Sequence, residues 1–186
     1  MHTLGLDVST SCTGWCVLHR DGSLIEFGNI PLGKHKSTYK KAEVVNEILN
    51  HVSGNFEISR IYIEENLQSF RRGFSSAQTL STLARFNGIV SLLCYQVFNH
   101  EPIHVNVNWA RKSLGIKLIR SKNGGAPTKE QIQEWVDKKL NEENASFDWP
   151  IKILRGGPRK GMEILDPGSY DMADAYVVAS AGHLIE

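Results

Sequence analysis

The sequence predicts an α/β fold in which a mixed five-stranded sheet, three antiparallel strands followed by two parallel ones, is flanked by helices. Three observations support this prediction. The first thirty residues contain three apolar-rich runs separated by turn residues, which is typical of an antiparallel meander. From residue 39 onward, apolar residues recur at helical spacing. Two later strand-like runs each follow a helix, and a strand reached through a helix usually lies parallel to its neighbour.

The antiparallel strands are predicted at Thr3–Val8, Thr13–His19 and Leu24–Ile30. Ser, Thr and Cys residues around position 10 form the first turn, and Asp21-Gly22 is a strong signal for a hairpin between the second and third strands. A helix follows and ends at Gly54-Asn55. Its inward positions are predicted to be Tyr39, Ala42, Val45, Ile48, Leu49 and Val52.

The rest of the chain alternates helices with short strands. A long helix begins at Ser75 or Ser76 and runs to Phe98, and its later half is apolar nearly all round, which indicates burial on more than one side. The remaining predicted elements are a fourth strand at Arg60–Asn66, a fifth strand through Ile103, Val105 and Val107, a helical turn at Trp109–Leu114, a loop at Ser121–Pro127, a helix at Thr128–Leu140, a loop or small hairpin insertion at about 144–169, and a helix from about Tyr170.

Length and composition restrict the class of protein. The chain has 186 residues, 41% of them hydrophobic and 22% charged, so we expect one domain over residues 1–186. No apolar run reaches the roughly 18 residues that span a bilayer, and Asp7 interrupts what would be the apolar part of a signal peptide. Cys12, Cys16 and Cys94 form no C-x-x-C pair, which argues against a disulfide framework or a structural zinc site. We therefore expect an intracellular protein with reduced thiols.

Charge is distributed unevenly along the sequence. The net charge is +1, but residues 111–160 contain 12 Lys and Arg against 6 Asp and Glu, a local charge of +6. The remainder of the chain contains 9 basic and 14 acidic residues, a local charge of −5. This pattern fits either an ordinary solvated surface or a polyanion-binding face beside an acidic site.

Carboxylates occur where apolar residues are expected. Asp7 interrupts an apolar strand, where a carboxylate costs several kcal/mol unless it is hydrogen-bonded or bound to a metal. The alternative is that Asp7 caps the turn that begins at Ser9. Glu64 and Glu65 end the predicted fourth strand, and because successive strand residues face opposite sides, only one of them can share a face with Asp7.

Two more acids lie near the C-terminus. Asp171 and Asp174 are three residues apart and therefore share one face of the last helix with the apolar Ala175 and Val178. A first-turn charge on the helix dipole explains Asp171 but explains Asp174 poorly. A divalent cation explains both, because carboxylates that converge without His or Cys partners suit Mg²⁺ or Mn²⁺. Such sites commonly serve phosphoryl chemistry.

With these acids, the sequence resembles the RuvC class of Holliday junction resolvases within the ribonuclease H-like superfamily, over nearly the whole chain. The segments that carry the resemblance are Gly5-Leu6-Asp7-Val8-Ser9, Thr13-Gly14-Trp15, Tyr62-Ile63-Glu64-Glu65, a central helix at residues 83–90, a basic segment at residues 111–115, the helix start at residues 129–133, and Asp171-x-x-Asp174-Ala175.

The resemblance implies a homodimeric nuclease that binds four-way DNA junctions in recombination and repair and makes paired symmetric nicks. Each active site would use two Mg²⁺ or Mn²⁺ ions held by Asp7, Glu64, Asp171 and Asp174, with Lys129 as a nearby catalytic basic residue. Glu65 falls where the family often has Gln and is left outside the metal shell. Independently of the resemblance, the apolar second half of the long helix makes it the candidate dimer interface. The expected location is the cytoplasm or nucleoid of a bacterium, a virus-infected cell, or an organelle.

The predicted DNA-binding surface combines two groups of basic residues, and its affinity would be salt-dependent. One group follows the catalytic strand and the fifth strand, and the other lies in the 144–169 insertion. The residues are Arg71, Arg72, Lys112, Lys117, Arg120, Lys122, Lys129, Arg155, Arg159 and Lys160. Two features depart from the family: Leu67 replaces an aromatic that disturbs base pairing at the crossover, a role that Phe70 or Phe74 can take, and the insertion is longer than usual.

Three alternative functions remain open at this stage. A sugar kinase or ATPase with a similar first phosphate loop is disfavoured, because such proteins need two domains of this kind. A single-cut metal-dependent nuclease on flap DNA, RNA or a hybrid would share the fold and the metal site. A junction-binding scaffold without activity is disfavoured because all four acids are present.

Overall fold

The computed structural model describes residues 1–65, 77–143, 145 and 147–185. The first half contains three strands, a helix, a fourth strand and a second helix: β1 (His2–Asp7), β2 (Cys12–His19), β3 (Leu24–Pro31), α1 (Thr38–Asn55), β4 (Ile58–Glu64) and α2 (Ala77–Phe98). The second half contains β5 (Ile103–Val105), α3 (Val107–Ser113), a short 3₁₀ turn at Ser121–Asn123, α4 (Thr128–Glu142), β6 (Ile151–Ile153), β7 (Glu163–Leu165) and α5 (Gly168–Gly182).

Five strands form one mixed sheet in the order β3-β2-β1-β4-β5. The β1–β2 and β2–β3 pairs are antiparallel, and the β1–β4 and β4–β5 pairs are parallel. This arrangement confirms the predicted fold class. The insertion before the last helix forms a separate two-stranded antiparallel hairpin from β6 and β7.

Each face of the sheet is covered by its own apolar core. Alternate residues of β1 and β4, such as Leu4, Leu6 and Ile63, pack into a core with α1 and α2. The opposite face, which includes Tyr62, packs against α4 and α5. The period of two along a strand therefore decides which helices a given side chain meets.

Helix α5 lies unusually close to the sheet because glycines face it. A Cβ atom at Gly5 would approach the Ala175 carbonyl oxygen to 2.6 Å, and one at Gly14 would overlap the Asp171 backbone. Contacts as short as these exclude any side chain. The glycines therefore set how close α5, from Asp171 to Ala179, comes to β1 and β2.

Three details differ from the sequence prediction. Val107 begins α3 instead of extending β5, because the Asn106 side chain accepts hydrogen bonds from the Asn108 and Trp109 amides, at 3.1 and 3.2 Å, and caps a helix there. Tyr39 is 77% exposed, so the inward stripe of α1 starts at Ala42. Helix α2 was predicted to be buried on more than one side, but only one side is buried. On the other side, Leu92 and Tyr95 are 55% and 46% exposed.

The predicted start of the long helix at Ser75 or Ser76, and the positions of Leu67, Phe70 and Phe74, lie outside the described residues. No helix in the described ranges is long and apolar enough to cross a membrane.

Replacing Gly14 by Ala should displace α5 and destabilise the protein by about 2 kcal/mol or more, because the added methyl overlaps the backbone of that helix. Chemical denaturation monitored by circular dichroism measures the change. Gly88→Ala is the matched control: a Cβ at Gly88, within α2, meets nothing within 4 Å, so helix propensity should stabilise that variant by about 0.5–1 kcal/mol. Equal stability of the Gly14 variant and the wild type would contradict the close-contact explanation.

Candidate active site

The site begins where β1 and β4 end. Leu6 pairs with Ile63 in the parallel ladder, so the next residues, Asp7 and Glu64, lie side by side at the carboxyl ends of their strands. Leu6 and Ile63 point into the core with α1 and α2, and successive strand residues face opposite sides of a sheet. Asp7 and Glu64 therefore face α5. Glu65 lies one position further along and accepts a hydrogen bond from Asn106 Nδ2 at 3.2 Å. Glu64 is therefore the glutamate that shares a face with Asp7.

The turn after β1 is organised by Ser9. Its hydroxyl donates to the Cys12 carbonyl at 2.6 Å and accepts from the Cys12 amide at 3.1 Å, while Thr13 Oγ1 donates to the Ser9 carbonyl at 3.3 Å. These contacts close the turn without the Asp7 carboxylate. The alternative explanation of Asp7 as a turn cap is thus unnecessary, and its side chain is directed to the acid cluster instead.

The end of β4 is fixed by a buried amide. Asn87 on α2 is 2% exposed, and its Nδ2 donates to the Glu64 carbonyl at 3.2 Å. His104 Nε2 lies 3.1 Å from Asn87 Oδ1, and the Glu65 amide donates to the Val105 carbonyl at 2.9 Å. Contacts from α2 and β5 thus hold the backbone on which Glu64 is placed.

Helix α5 adds the remaining two acids. Asp166 precedes it, and the Asp166 Oδ1 atom accepts a hydrogen bond from the Gly168 amide at 2.8 Å, which helps to fix the helix start. Asp171 lies in the first turn, and Asp174 lies one turn later on the same face. Asp171 accepts a hydrogen bond from the Cys12 thiol on β2. This role for Cys12 was not predicted from the sequence.

The four carboxyl groups influence one another electrostatically. Burial and then the charges of Glu64, Asp174 and Asp171 raise the pKa of Asp7 well above its usual value. Burial, followed by the charge of Asp174, raises the pKa of Glu64 to about 7. Burial also raises the pKa values of both aspartates on α5. A cluster of buried groups that disfavour one another's negative charge favours the binding of a positive charge.

One such positive charge belongs to the chain itself. Arg111 on α3 lies with its Nη2 atom 3.2 Å from Asp174 Oδ1, and both side chains are 19% exposed. Its charge opposes the increase in the pKa values of Asp7, Glu64 and Asp174. The sequence places Arg111 only within a basic segment. The available signal was its position on the helix that follows β5, a strand whose carboxyl end lies at the same edge of the sheet as Glu64.

The donor set suits a hard divalent cation, since it consists of carboxylate oxygens only. Within residues 1–65, 77–143, 145 and 147–185, however, no three His, Cys, Asp or Glu side chains are close enough together to hold a metal ion as they stand. The cluster therefore has the chemistry that Mg²⁺ or Mn²⁺ needs, but it would have to close around the ion.

The predicted basic residues are found in three regions. Lys129, at the start of α4, lies with Nζ 4.5 Å from the centre of the Tyr170 ring, and its charge lowers the pKa of Asp171. Lys112 and Lys117 line a cavity of about 360 Å³ together with Arg111. Lys122 lies in the 3₁₀ turn, and Arg120 directly precedes it. The exposed Arg155, Arg159 and Lys160 lie on the connection between β6 and β7. Arg71 and Arg72 lie outside the described residues.

Comparison with solved structures finds similarity to junction resolvases over nearly the whole of this chain. The RuvC structure from Thermus thermophilus is 16% identical, with a TM-score of 0.59, and its complex with a Holliday junction substrate is 14% identical, with a TM-score of 0.64. Each alignment covers 97% of this chain and 92% of that chain. The yeast mitochondrial Holliday junction resolvase Ydc2 is 15% identical, with a TM-score of 0.56, over 97% of this chain and 77% of that chain.

Comparisons with protein families and with curated proteins find no match. The structural similarity confirms that the chain has the ribonuclease H-like fold of RuvC, as the sequence resemblance implied.

The raised pKa of Glu64 predicts a pH-dependent stability in EDTA. Its pKa is about 7 in the folded protein against 4.5 as an ordinary value, so between these values the folded state binds more protons than the unfolded state, and stability falls as pH rises. Glu64→Gln should flatten this fall by an amount on the order of 1–3 kcal/mol between pH 4.5 and 7, measured by urea denaturation at each pH. Glu65→Gln, on the next residue, should retain the wild-type slope. Parallel wild-type and Glu64→Gln curves would refute the assignment.

Proposed function

We propose that this protein is a metal-dependent endonuclease that resolves four-way DNA junctions by paired symmetric nicks, acting in DNA recombination and repair. The observation that supports the proposal most directly is the clustering of Asp7, Glu64, Asp171 and Asp174 at one edge of a RuvC-type sheet. Burial and mutual repulsion of these carboxyl groups cost free energy of folding, so packing alone does not explain why they are brought together.

Asp7, Glu64, Asp171 and Asp174 are the residues proposed to hold two Mg²⁺ or Mn²⁺ ions. When bound, such ions activate the attacking water and stabilise the leaving oxygen of a phosphodiester. Asn87 and the β1–β4 ladder keep the two strand-end acids adjacent. Asp171 and Asp174 come from α5, which packs on the face of the sheet toward which Asp7 and Glu64 point. The four proposed ligands therefore belong to three elements, β1, β4 and α5.

Lys129 is proposed as a catalytic basic residue near the reaction. Its ammonium lies over the Tyr170 ring, next to Asp171 in sequence and in electrostatic contact with that carboxylate. A cation held there is placed to bind a phosphate oxygen of the substrate and to stabilise negative charge as the bond breaks. Tyr170 limits the positions that the flexible lysine chain samples.

The proposed DNA surface extends from this site in two directions. Lys112, Lys117, Arg120 and Lys122 continue the positive charge beyond α3, and the hairpin residues Arg155, Arg159 and Lys160 offer a second exposed basic group. Contacts to phosphates position the substrate without reading its sequence. Arg71 and Arg72 are retained in the proposal from the sequence alone.

Paired nicks on opposite strands need two active sites, so the proposal includes a homodimer. The exposed Leu92 and Tyr95 provide an apolar surface on α2, the helix whose apolar second half is the predicted interface. Residues of this size on an exposed helix face are typical of an association surface when they occur together.

Cleavage of end-labelled synthetic junctions tests the proposal. With Mg²⁺ or Mn²⁺, the wild-type protein should make symmetric nicks restricted to the four-way junction, and EDTA should abolish them. Duplex, flap and RNA–DNA hybrid substrates serve as controls. Cleavage of the flap or hybrid alone would instead establish a single-cut nuclease with the same active site.

Asp7→Asn should reduce junction cleavage by about 10²-fold or more and leave junction binding intact, because it removes a metal ligand without changing the shape of the side chain. Gel-shift titration measures binding, and single-turnover cleavage measures the rate. Glu65→Gln, which changes an acid outside the proposed metal shell, is the matched comparison and should cleave at a near-normal rate. A wild-type rate for Asp7→Asn would exclude this site as the catalytic centre.

Neutralising Lys112, Lys117 and Lys122 together to Gln should weaken junction binding and flatten its dependence on salt concentration. Each lost phosphate contact reduces the slope of log K against log salt by up to about one unit. Fluorescence anisotropy over a range of salt concentrations provides the measurement. Lys138→Gln, on the exposed side of α4, controls for a general loss of charge. A slope unchanged by the triple substitution would place the DNA on another surface.

A further inference from the structure

We infer that Arg111 is a built-in counter-ion of the acid cluster, a positioning residue that holds Asp174 and yields this carboxylate when a divalent cation binds. The inference rests on the proposed function, since it concerns how the same four carboxylates receive a metal. It assigns a specific role to Arg111, which the sequence places only within a basic segment and which lies outside the proposed set of metal ligands.

The first support is the geometry of the ion pair. Arg111 Nη2 lies 3.2 Å from Asp174 Oδ1, and each side chain is only 19% exposed. In the Lys139–Glu143 pair on α4, by comparison, the side chains are 42% and 31% exposed. An ion pair with little solvent exposure is weakly screened, so Arg111 strongly affects the charge at this site.

The second support is the charge balance. Arg111 is the cation whose charge acts on Asp7, Glu64 and Asp174, three acids that otherwise repel one another. With four carboxylates and one guanidinium, the fully ionised cluster has a formal charge of −3. The Arg111 guanidinium already neutralises one of these negative charges. Its repulsion of a divalent ion lowers the affinity of the cluster for that ion.

The third support is competition for one atom. A metal ion and a guanidinium both require carboxylate oxygens, and Arg111 already donates to Oδ1 of Asp174. A cation that recruits Asp174 through this oxygen must displace the guanidinium. Loss of this contact releases the side chain of Asp174 to turn toward Asp7 and Glu64.

The fourth support is that Arg111 is incompletely held and has space beside it. Its Nε atom is buried without a hydrogen-bond partner among the described residues. The residue also lines a cavity of about 360 Å³ with Lys112 and Lys117. A displaced guanidinium can therefore enter this cavity, where a phosphate of bound nucleic acid would supply the balancing negative charge.

Manganese titration of wild type, Arg111→Gln, Arg111→Lys and Lys138→Gln tests the inference. Arg111→Gln should melt about 4 °C or more below wild type in EDTA, and it should bind Mn²⁺ about fivefold or more tightly by isothermal calorimetry. Arg111→Lys retains the charge and should stay close to wild type in both measurements. Lys138→Gln removes the same charge from an exposed position on α4, outside the site and its cavity, and should change neither property.

If Arg111→Gln does not fold in EDTA, the Mn²⁺ concentration that restores its near-ultraviolet circular dichroism replaces the calorimetric measurement, and restoration supports the inference. Unchanged or weaker Mn²⁺ binding by Arg111→Gln, or failure of Mn²⁺ to restore its fold, would overturn it. If wild type binds Mn²⁺ and cleaves junctions while Arg111→Gln binds Mn²⁺ equally well, only the inference fails. If wild type neither binds the ion nor cleaves, the proposed function fails with it.

Discussion

The close contact between α5 and the ends of β1 and β2 is the constraint on which the candidate site depends. Gly5 and Gly14 have no side chain to separate the helix from the sheet, and any Cβ atom there would overlap the backbone of α5 or its Ala179 methyl group. This contact brings Asp171 and Asp174 to the strand ends that present Asp7 and Glu64. Without it, two pairs of acids would occupy separate regions of the molecule.

The same closeness creates an electrostatic problem that the chain solves locally. Burial raises the pKa values of all four carboxyl groups, and mutual repulsion adds to this increase for Asp7, Glu64 and Asp171. Arg111 and Lys129 supply positive charge from α3 and α4, which are different elements from those that provide the acids. Local propensity and apolar packing form the elements, whereas charge balance determines what the site can bind.

The hairpin of β6 and β7 is a different kind of feature. Two short strands pair between α4 and α5, with exposed Ile151 and Ile153 on one strand and a basic connection beyond it. Its base is anchored next to the sheet by Trp149, whose indole donates to Asp137 at 2.8 Å and whose ring packs against Phe27. The core thus fixes the base of the hairpin, while its outer end is exposed.

The sequence by itself determined the fold class, the strand order along the chain and the four acids, because each depends on local pattern. Period-two runs, helical spacing and turn residues are properties of neighbouring residues, and Asp7, Glu64, Asp171 and Asp174 are conspicuous as charges within apolar segments. Val107 shows the limit of such patterns, since alternation alone extended β5 through a residue that the Asn106 cap places in a helix.

Only the tertiary structure decided which distant residues meet. The roles of Cys12 and Asn87 follow from packing between elements, and the β1–β4 register supplies the physical reason why Glu64, rather than Glu65, shares a face with Asp7. The pairing of Arg111 with Asp174 joins residues 63 positions apart. Such contacts depend on distances through space, which sequence spacing does not encode, and they determine the charge balance of the site.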